Sequence, residues 1–158
     1  MRRKDRQIPE AEARALLERG EYGVLSTVSA GGRPYGVPVS YCVMDGAIYF
    51  HCAVEGKKLA DIEENPHVSF CVVGETELLP TEFATRYESC ILQGVASEAW
   101  GEEKQRALEG LVHKYSADFV TEGRDYIEKQ TARARVFRIS IESIAGKARR
   151  RGGSSGRA

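Results

Sequence analysis

The segment from Tyr22 to Ala53 constrains the fold more than any other part of the chain. Tyr22–Val28, Pro34–Met44 and Ala47–Ala53 are runs rich in β-branched and aromatic residues, and two tight turns separate them. Ala30-Gly31-Gly32-Arg33 makes the first turn and Asp45-Gly46 the second. Asp-Gly closes short hairpins because both residues tolerate positive φ. Turns this short leave no room for a crossover helix, so the three runs predict an antiparallel meander. Pro38 falls inside the second run and has no N–H to donate, which places it at a sheet edge or a bulge.

Three further runs read as strands. They are His67–Val73, Tyr87–Ala99 with a bend at Gly94, and Val136–Glu142, which alternates cleanly. Four segments read as helices. Ile8-Pro9-Glu10 opens the first, which runs to Arg19, with proline and glutamates in its first turn and Gly20 as its stop. Gly56–Glu64 is the second, ended by Asn65-Pro66. Glu102–Ser116 sets Leu108, Leu111, Val112 and Tyr115 at helical spacing, and Gly123–Thr131 is short. Gly74–Arg86, with Pro80 among threonines and glutamates, reads as a loop. Six antiparallel strands with few helices between them predict a mainly β (α+β) fold, a six-stranded antiparallel barrel with helices packed outside.

The chain has 158 residues, 42% hydrophobic and 29% charged, which suits one folded domain over residues 1–148. Residues 149–158 form a basic, Gly/Ser-rich tail. The net charge is zero, yet residues 7–145 hold 14 basic and 22 acidic groups, so the body is acidic and both ends are basic. No RNA-binding or helix-turn-helix pattern accompanies the Arg149–Arg151 cluster, so a solvated tail is expected and no nucleic-acid partner. No apolar run approaches the ~20 residues of a membrane span, and no secretory pattern follows Met1, so a cytoplasmic protein without membrane contact is expected. Cys42, Cys52, Cys71 and Cys90 lie in strand-like runs without Cys-x-x-Cys, and His51, His67 and His113 are not paired, so neither disulfides nor a metal site is expected.

Chemistry concentrates in Ile48-Tyr-Phe-His-Cys-Ala-Val-Glu-Gly-Lys-Lys-Leu59, a strand leading through a loop into a helix. Lys57 and Lys58 fall in the first turn, where they oppose the helix dipole. A helix start presents free N–H groups to an anion, and Gly56 lets that anion approach the backbone. A phosphate there would turn the two lysines into an advantage; without one they are surface charges. Alternation places Tyr49, His51 and Ala53 on one face and Ile48, Phe50 and Cys52 on the other. His51 is either a hydrogen-bonded structural group or a ligand contact beside the anion site.

The order of these pieces resembles a known family. Pro34-Tyr-Gly-Val-Pro-Val-Ser-Tyr41, Tyr49-Phe-His-Cys-Ala53, Gly56-Lys-Lys-Leu59 and Asn65-Pro-x-Val-Ser69 are similar to the FMN-binding split-barrel superfamily of pyridoxamine 5'-phosphate oxidase. Thr85-Arg-Tyr-Glu-Ser89 and Ile144-Ala-Gly-Lys-Ala148 point within it to the nitroimidazole-resistance (Nim) branch. The resemblance covers residues 8–148 and implies a split barrel with FMN at a homodimer interface. It implies that Val37, Pro38, Val39 and Ser40 line the flavin ring, that His51 and Cys52 sit beside it, and that Gly56, Lys57 and Lys58 hold the 5'-phosphate. Arg86, Tyr87 and the surroundings of Trp100 are the candidates for contacts across the dimer. The chain departs from true pyridoxamine-phosphate oxidases at Val37, where those enzymes carry arginine, and at its C-terminus, which lacks their Arg-x-x-Pro-like segment. The activity implied is therefore FMN-dependent reduction of a small flat acceptor such as a nitroaromatic, with His51 hydrogen-bonding the flavin or donating a proton. The alternative is a non-catalytic flavin or haem carrier or sensor.

Overall fold

The computed structural model describes residues 3–150. Eight strands form one sheet: β1 Gln7–Ile8, β2 Gly23–Val28, β3 Pro34–Val39, β4 Cys42–Met44, β5 Ala47–Cys52, β6 His67–Leu79, β7 Ala84–Ala99 and β8 Arg135–Arg149. Four α-helices accompany them: α1 Glu10–Arg19, α2 Lys57–Glu64, α3 Gly101–Tyr115 and α4 Val120–Gln130. The sheet order is β3-β2-β6-β7-β8-β5-β4, with β1 paired to β8, and every pair is antiparallel. The fold class expected from sequence holds, and all four helices form. No helix among the described residues is long and apolar enough to cross a membrane.

The expected meander is corrected. Pro34–Met44 is not one strand: β3 pairs with β2 at one end of the sheet, and β4 pairs with β5 at the other. Only Ser40 and Tyr41 join them. Three Cα steps reach roughly 10 Å at most, so the two ends of the sheet must curl to meet. They do not pair there. The result is a barrel with a slit, and the strap Ser40–Tyr41 crosses it. The count of six strands becomes eight because the second run splits and β1 adds to β8. β3 is a terminal strand, so Pro38 is at an edge.

Gly74–Arg86 is also corrected. β6 continues to Leu79 and β7 begins at Ala84, so the segment is the far end of a hairpin, turned by Pro80–Glu82 and by Phe83 at φ 49°. β8 likewise runs on from Glu142 to Arg149, and Arg150 pairs with Glu12. Residues 151–158 of the basic tail lie outside the described residues. The expected bend at Gly94 coincides with a register shift between Gln93 and Gly94. A Cβ on Gly94 would stand 2.2 Å from the Ser140 carbonyl oxygen, so only glycine fits.

Inward-facing residues fill the barrel, among them Leu25, Phe50, Phe70, Val72, Leu92 and Ile139. Leu16 and Leu17 of α1 cap this core. β5 is buried on both faces: Ile48, Phe50 and Cys52 face the barrel, while Ala47 and Tyr49 pack under Leu108 and Leu111 of α3. The Tyr49 hydroxyl donates to Glu103 of α3 at 2.8 Å. Tyr41 is fully buried, donates its hydroxyl to the Leu17 carbonyl, and meets Phe70 edge-on at 5.0 Å. Its backbone N–H donates to the Tyr115 hydroxyl at 2.9 Å, and that hydroxyl donates to the Glu21 carbonyl at 2.6 Å. α1 and α3 therefore both fasten the strap.

The opposite face of the sheet shows a different composition. Pro38, Val24, Cys71, Ile91 and Ala145 stand in register across five strands. Ile91 is 45% and neighbouring Val73 55% exposed, so an apolar row lies open on the outside.

Candidate functional site

β5 delivers the chain through Ala53–Glu55 to Gly56, which opens α2. Gly56 sits at φ 143°, a backbone conformation that a side chain rarely adopts, and a Cβ there would meet nothing within 4 Å. Glycine is required here by the backbone, and the space before it is open. The Gly56 carbonyl accepts the amides of Leu59 and Ala60 at 3.0 and 3.2 Å. No side chain caps the helix, and no acidic residue lies in its first turn. The Lys57 and Lys58 N–H groups, which precede those two amides, are left without an intrahelical partner.

Lys57 does not hang free. Its ammonium reaches both carboxylate oxygens of Asp61, at 2.9 and 3.1 Å, and lies 5.2 Å from the centre of the Tyr35 ring on β3. Asp61 is buried and also accepts a 2.7 Å bond from the Thr27 hydroxyl of β2. The Thr27 and Lys57 hydrogen bonds hold its carboxyl below the usual carboxylate range. Helix α2 is thereby tied to the β2–β3 edge, and Lys57 still has about half of its side chain in solvent.

His51 is exposed on the Tyr49 face, while Cys52 turns into the barrel core. Desolvation, followed by the charge of Lys58, lowers the His51 pKa, so its imidazole is neutral at neutral pH. Burial raises the Cys52 thiol, and likewise those of Cys42 and Cys90, to about 11 for the latter two. All four cysteines are free. Protonated buried thiols are poor nucleophiles.

The residues singled out from sequence fall into two groups around Gly56. Val37 and Val39 pack towards the barrel core, while Pro38 and Ser40 are exposed on the other side of β3. Lys57 reaches this strand at Tyr35, whereas Lys58 bears on His51 and Cys52. The pleat turns the His51 and Cys52 side chains to opposite faces, yet both residues line one cavity. Arg86 pairs with Glu77 along the β6–β7 hairpin, the Tyr87 hydroxyl accepts from Arg6 at 3.5 Å, and Trp100 is 67% exposed before α3. Asp61 and Thr27 went unnoticed in the sequence. The Lys57-Asp61 spacing of four was a usable signal; Thr27 gave none. A cavity of about 320 Å³ beside His51, under α3 and α4, was also not foreseen.

The sequence pattern of the family described as pyridoxamine 5'-phosphate oxidase matches residues 9–148. No curated protein matches the chain. Among solved structures, a conserved hypothetical protein of Mycobacterium tuberculosis is similar over 99% of both chains, at 19% identity and a TM-score of 0.79. A Bacteroides thetaiotaomicron protein described as a 5-nitroimidazole antibiotic resistance protein is similar over 90% of this chain and 86% of its own, at 19% identity and a TM-score of 0.73. An FAD and haem binding protein of Mycobacterium smegmatis is similar over 90% of this chain and 73% of its own, at 17% identity and a TM-score of 0.79. At these identities the likeness is one of fold. With the family pattern spanning nearly all of the described barrel, the chain belongs to the pyridoxamine 5'-phosphate oxidase family.

Proposed function

We propose that this protein is an FMN-dependent oxidoreductase, acting as a homodimer, that reduces a small flat acceptor such as a nitroaromatic. The observation that carries the reading is the start of α2. An uncapped helix N-terminus opens at a glycine whose backbone excludes other residues, with two lysines beside it and no acid in the first turn. This donor set fits a phosphate. Gly56 gives close approach, the charge of Lys58 is felt at His51, and Lys57 is held in place by Asp61.

Bound there, the flavin would supply electron transfer from a reduced nicotinamide or another donor to the acceptor. The protein's own part is to bind, orient and shield. Pro38 on edge strand β3 and Ser40 just beyond it are exposed to a ring lying against them. Neutral His51 is competent to donate or accept a hydrogen bond at the end of β5. The open row from Pro38 to Ala145 supports a second copy packed over the sheet, which would cover apolar surface that one copy leaves wet. Val37, where true pyridoxamine-phosphate oxidases have arginine, argues against their substrate.

An absorption spectrum of the purified protein from about 300 to 700 nm, before and after adding FMN, tests this directly. Flavin bands near ~375 and ~450 nm that stay with the protein through gel filtration support it. A colourless protein that ignores FMN removes it. A His51→Ala variant with full FMN content and lost turnover supports a proton role for His51, and unchanged turnover removes that role.

A second reading is a carrier or sensor without turnover. The FAD and haem binding protein of Mycobacterium smegmatis shares the fold, and a neutral, exposed imidazole at His51 is a competent haem ligand. A Soret band in the same spectrum would favour haem, and a flavin spectrum without turnover would favour a sensor.

A further inference from the structure

The cavity of about 320 Å³ next to His51 has a definite construction. Its floor is the end of β5, and its roof is the α3–α4 pair. Leu108, Leu111, Val112 and Ile127 supply apolar walls. Arg133 and His51 stand in its lining with the amide of Gln130, and no carboxylate lines it. The volume lies within the usual range for small-molecule sites, and the pattern of apolar walls with a few polar groups is theirs too. Lys58 adds positive charge on the His51 side.

We propose that this cavity is a binding site for a small, flat, apolar monoanion, an aromatic carboxylate being the simplest member of the class, with Arg133 holding the charged end and the leucine walls the ring. The charge balance selects the class. An arginine in a lining without carboxylates favours a carboxylate ligand through two parallel hydrogen bonds, and the apolar walls disfavour strongly hydrated anions such as inorganic phosphate. The cavity adjoins the Gly56–Lys58 loop through His51, Cys52 and Ala53 but includes none of its residues, and the inference does not depend on whether flavin binds at that loop.

Benzoate is the probe, and benzamide its neutral counterpart. The full chain is titrated with each, with and without FMN, while methyl resonances of Leu108, Leu111, Val112 and Ile127 are followed by NMR. Saturable shifts of these methyls by benzoate are expected, with benzamide binding more weakly. Arg133 is exposed, so Arg133→Gln keeps the fold. This variant should weaken benzoate about tenfold and leave benzamide unchanged. Ala134→Phe, which adds bulk to the lining, should abolish the shifts; Gln130→Trp serves the same purpose if the first variant does not fold. Benzoate that fails to saturate these methyls, or that is indifferent to Arg133→Gln, overturns the inference. FMN displacing benzoate also overturns it, because the cavity would then be part of the flavin's own site. Benzoate saturating in a protein that never takes up FMN keeps the cavity and removes the flavin reading. FMN bound without benzoate does the reverse.

Discussion

Lys57 and Lys114 stand near opposite ends of β3, and the protein treats their charges in opposite ways. Lys57 meets a buried carboxylate, a hydroxyl behind it and the face of Tyr35, with half of the side chain still in water. Lys114 places its ammonium 3.7 Å from the centre of the Tyr41 ring and 5.4 Å from that of Tyr115. Its nitrogen is buried and has no hydrogen-bond partner among the described residues. Burial lowers its pKa. The aromatic faces attract a cation but do not replace lost hydrogen bonds. The first lysine is oriented and left available, as an anion site needs. The second is shut in beside the strap and serves packing.

The largest effect should separate the two in ligand binding. Replacing Lys57 and Lys58 together by methionine should weaken FMN about 10- to 100-fold, whereas Lys114→Met should leave it within about twofold, both read by flavin fluorescence titration. Equal losses would collapse the distinction. Next in size is Tyr115→Phe, which leaves the N–H of buried Tyr41 without its acceptor. A loss of about 1–2 kcal/mol is expected in urea melts, with little change in FMN affinity. A smaller, opposite-signed effect distinguishes the lysines themselves. Lys114→Met should leave stability unchanged or raise it by up to ~1 kcal/mol, because it relieves an unpaired buried charge. Lys57→Met should lower the urea midpoint, because it strands Asp61.

The smallest effect is in pH. The Cys42 and Cys90 thiols are pushed up to about 11, and Tyr49, Tyr115, Cys52 and Cys71 are raised too. The stability these groups lend is complete below their unfolded values, about 8.5 for a thiol, and is lost as pH rises towards the folded ones. Lys114, with its lowered pKa, works the other way. Between its folded value and about 10.4 the unfolded chain binds more protons, so its contribution to stability rises with pH. Thermal melts between pH 8 and 10.5 should therefore fall more steeply for Lys114→Met than for the parent protein. Identical slopes would mean that Lys114 is not desolvated in solution.

What the sequence showed and concealed follows from where each signal comes from. Ile48, Phe50 and Cys52 against Tyr49 and His51 were legible because β5 has different surroundings on its two faces, and alternation reports that. The split between Val39 and Cys42 was not legible, since Ser40 and Tyr41 keep extended-looking chemistry while the chain changes partners. Glu75–Leu78 read as loop because both faces of that ribbon are in water, so no alternation marks it. Tyr115 looked like one more apolar residue on the α3 stripe; its hydroxyl's task at Tyr41 depends on a contact far away in sequence. Gly56, Lys57 and Lys58 were legible as an uncapped, basic helix start because helix-end chemistry is local. Arg133 was not, because its setting depends on how α4 returns to β8.

The strap has one more consequence. A sheet curled so that two residues can bridge its ends has its circumference set by that bridge rather than by hydrogen bonds across the slit. Ser40–Tyr41 acts as a ruler: each residue inserted there would add roughly 3.5 Å of slack and let the barrel widen by that amount. Insertions in the β6–β7 hairpin tip or between α3 and α4 change no such dimension. Variation in bore among barrels of this plan should therefore track the length of one short bridge, and the far longer loops elsewhere should be free to drift.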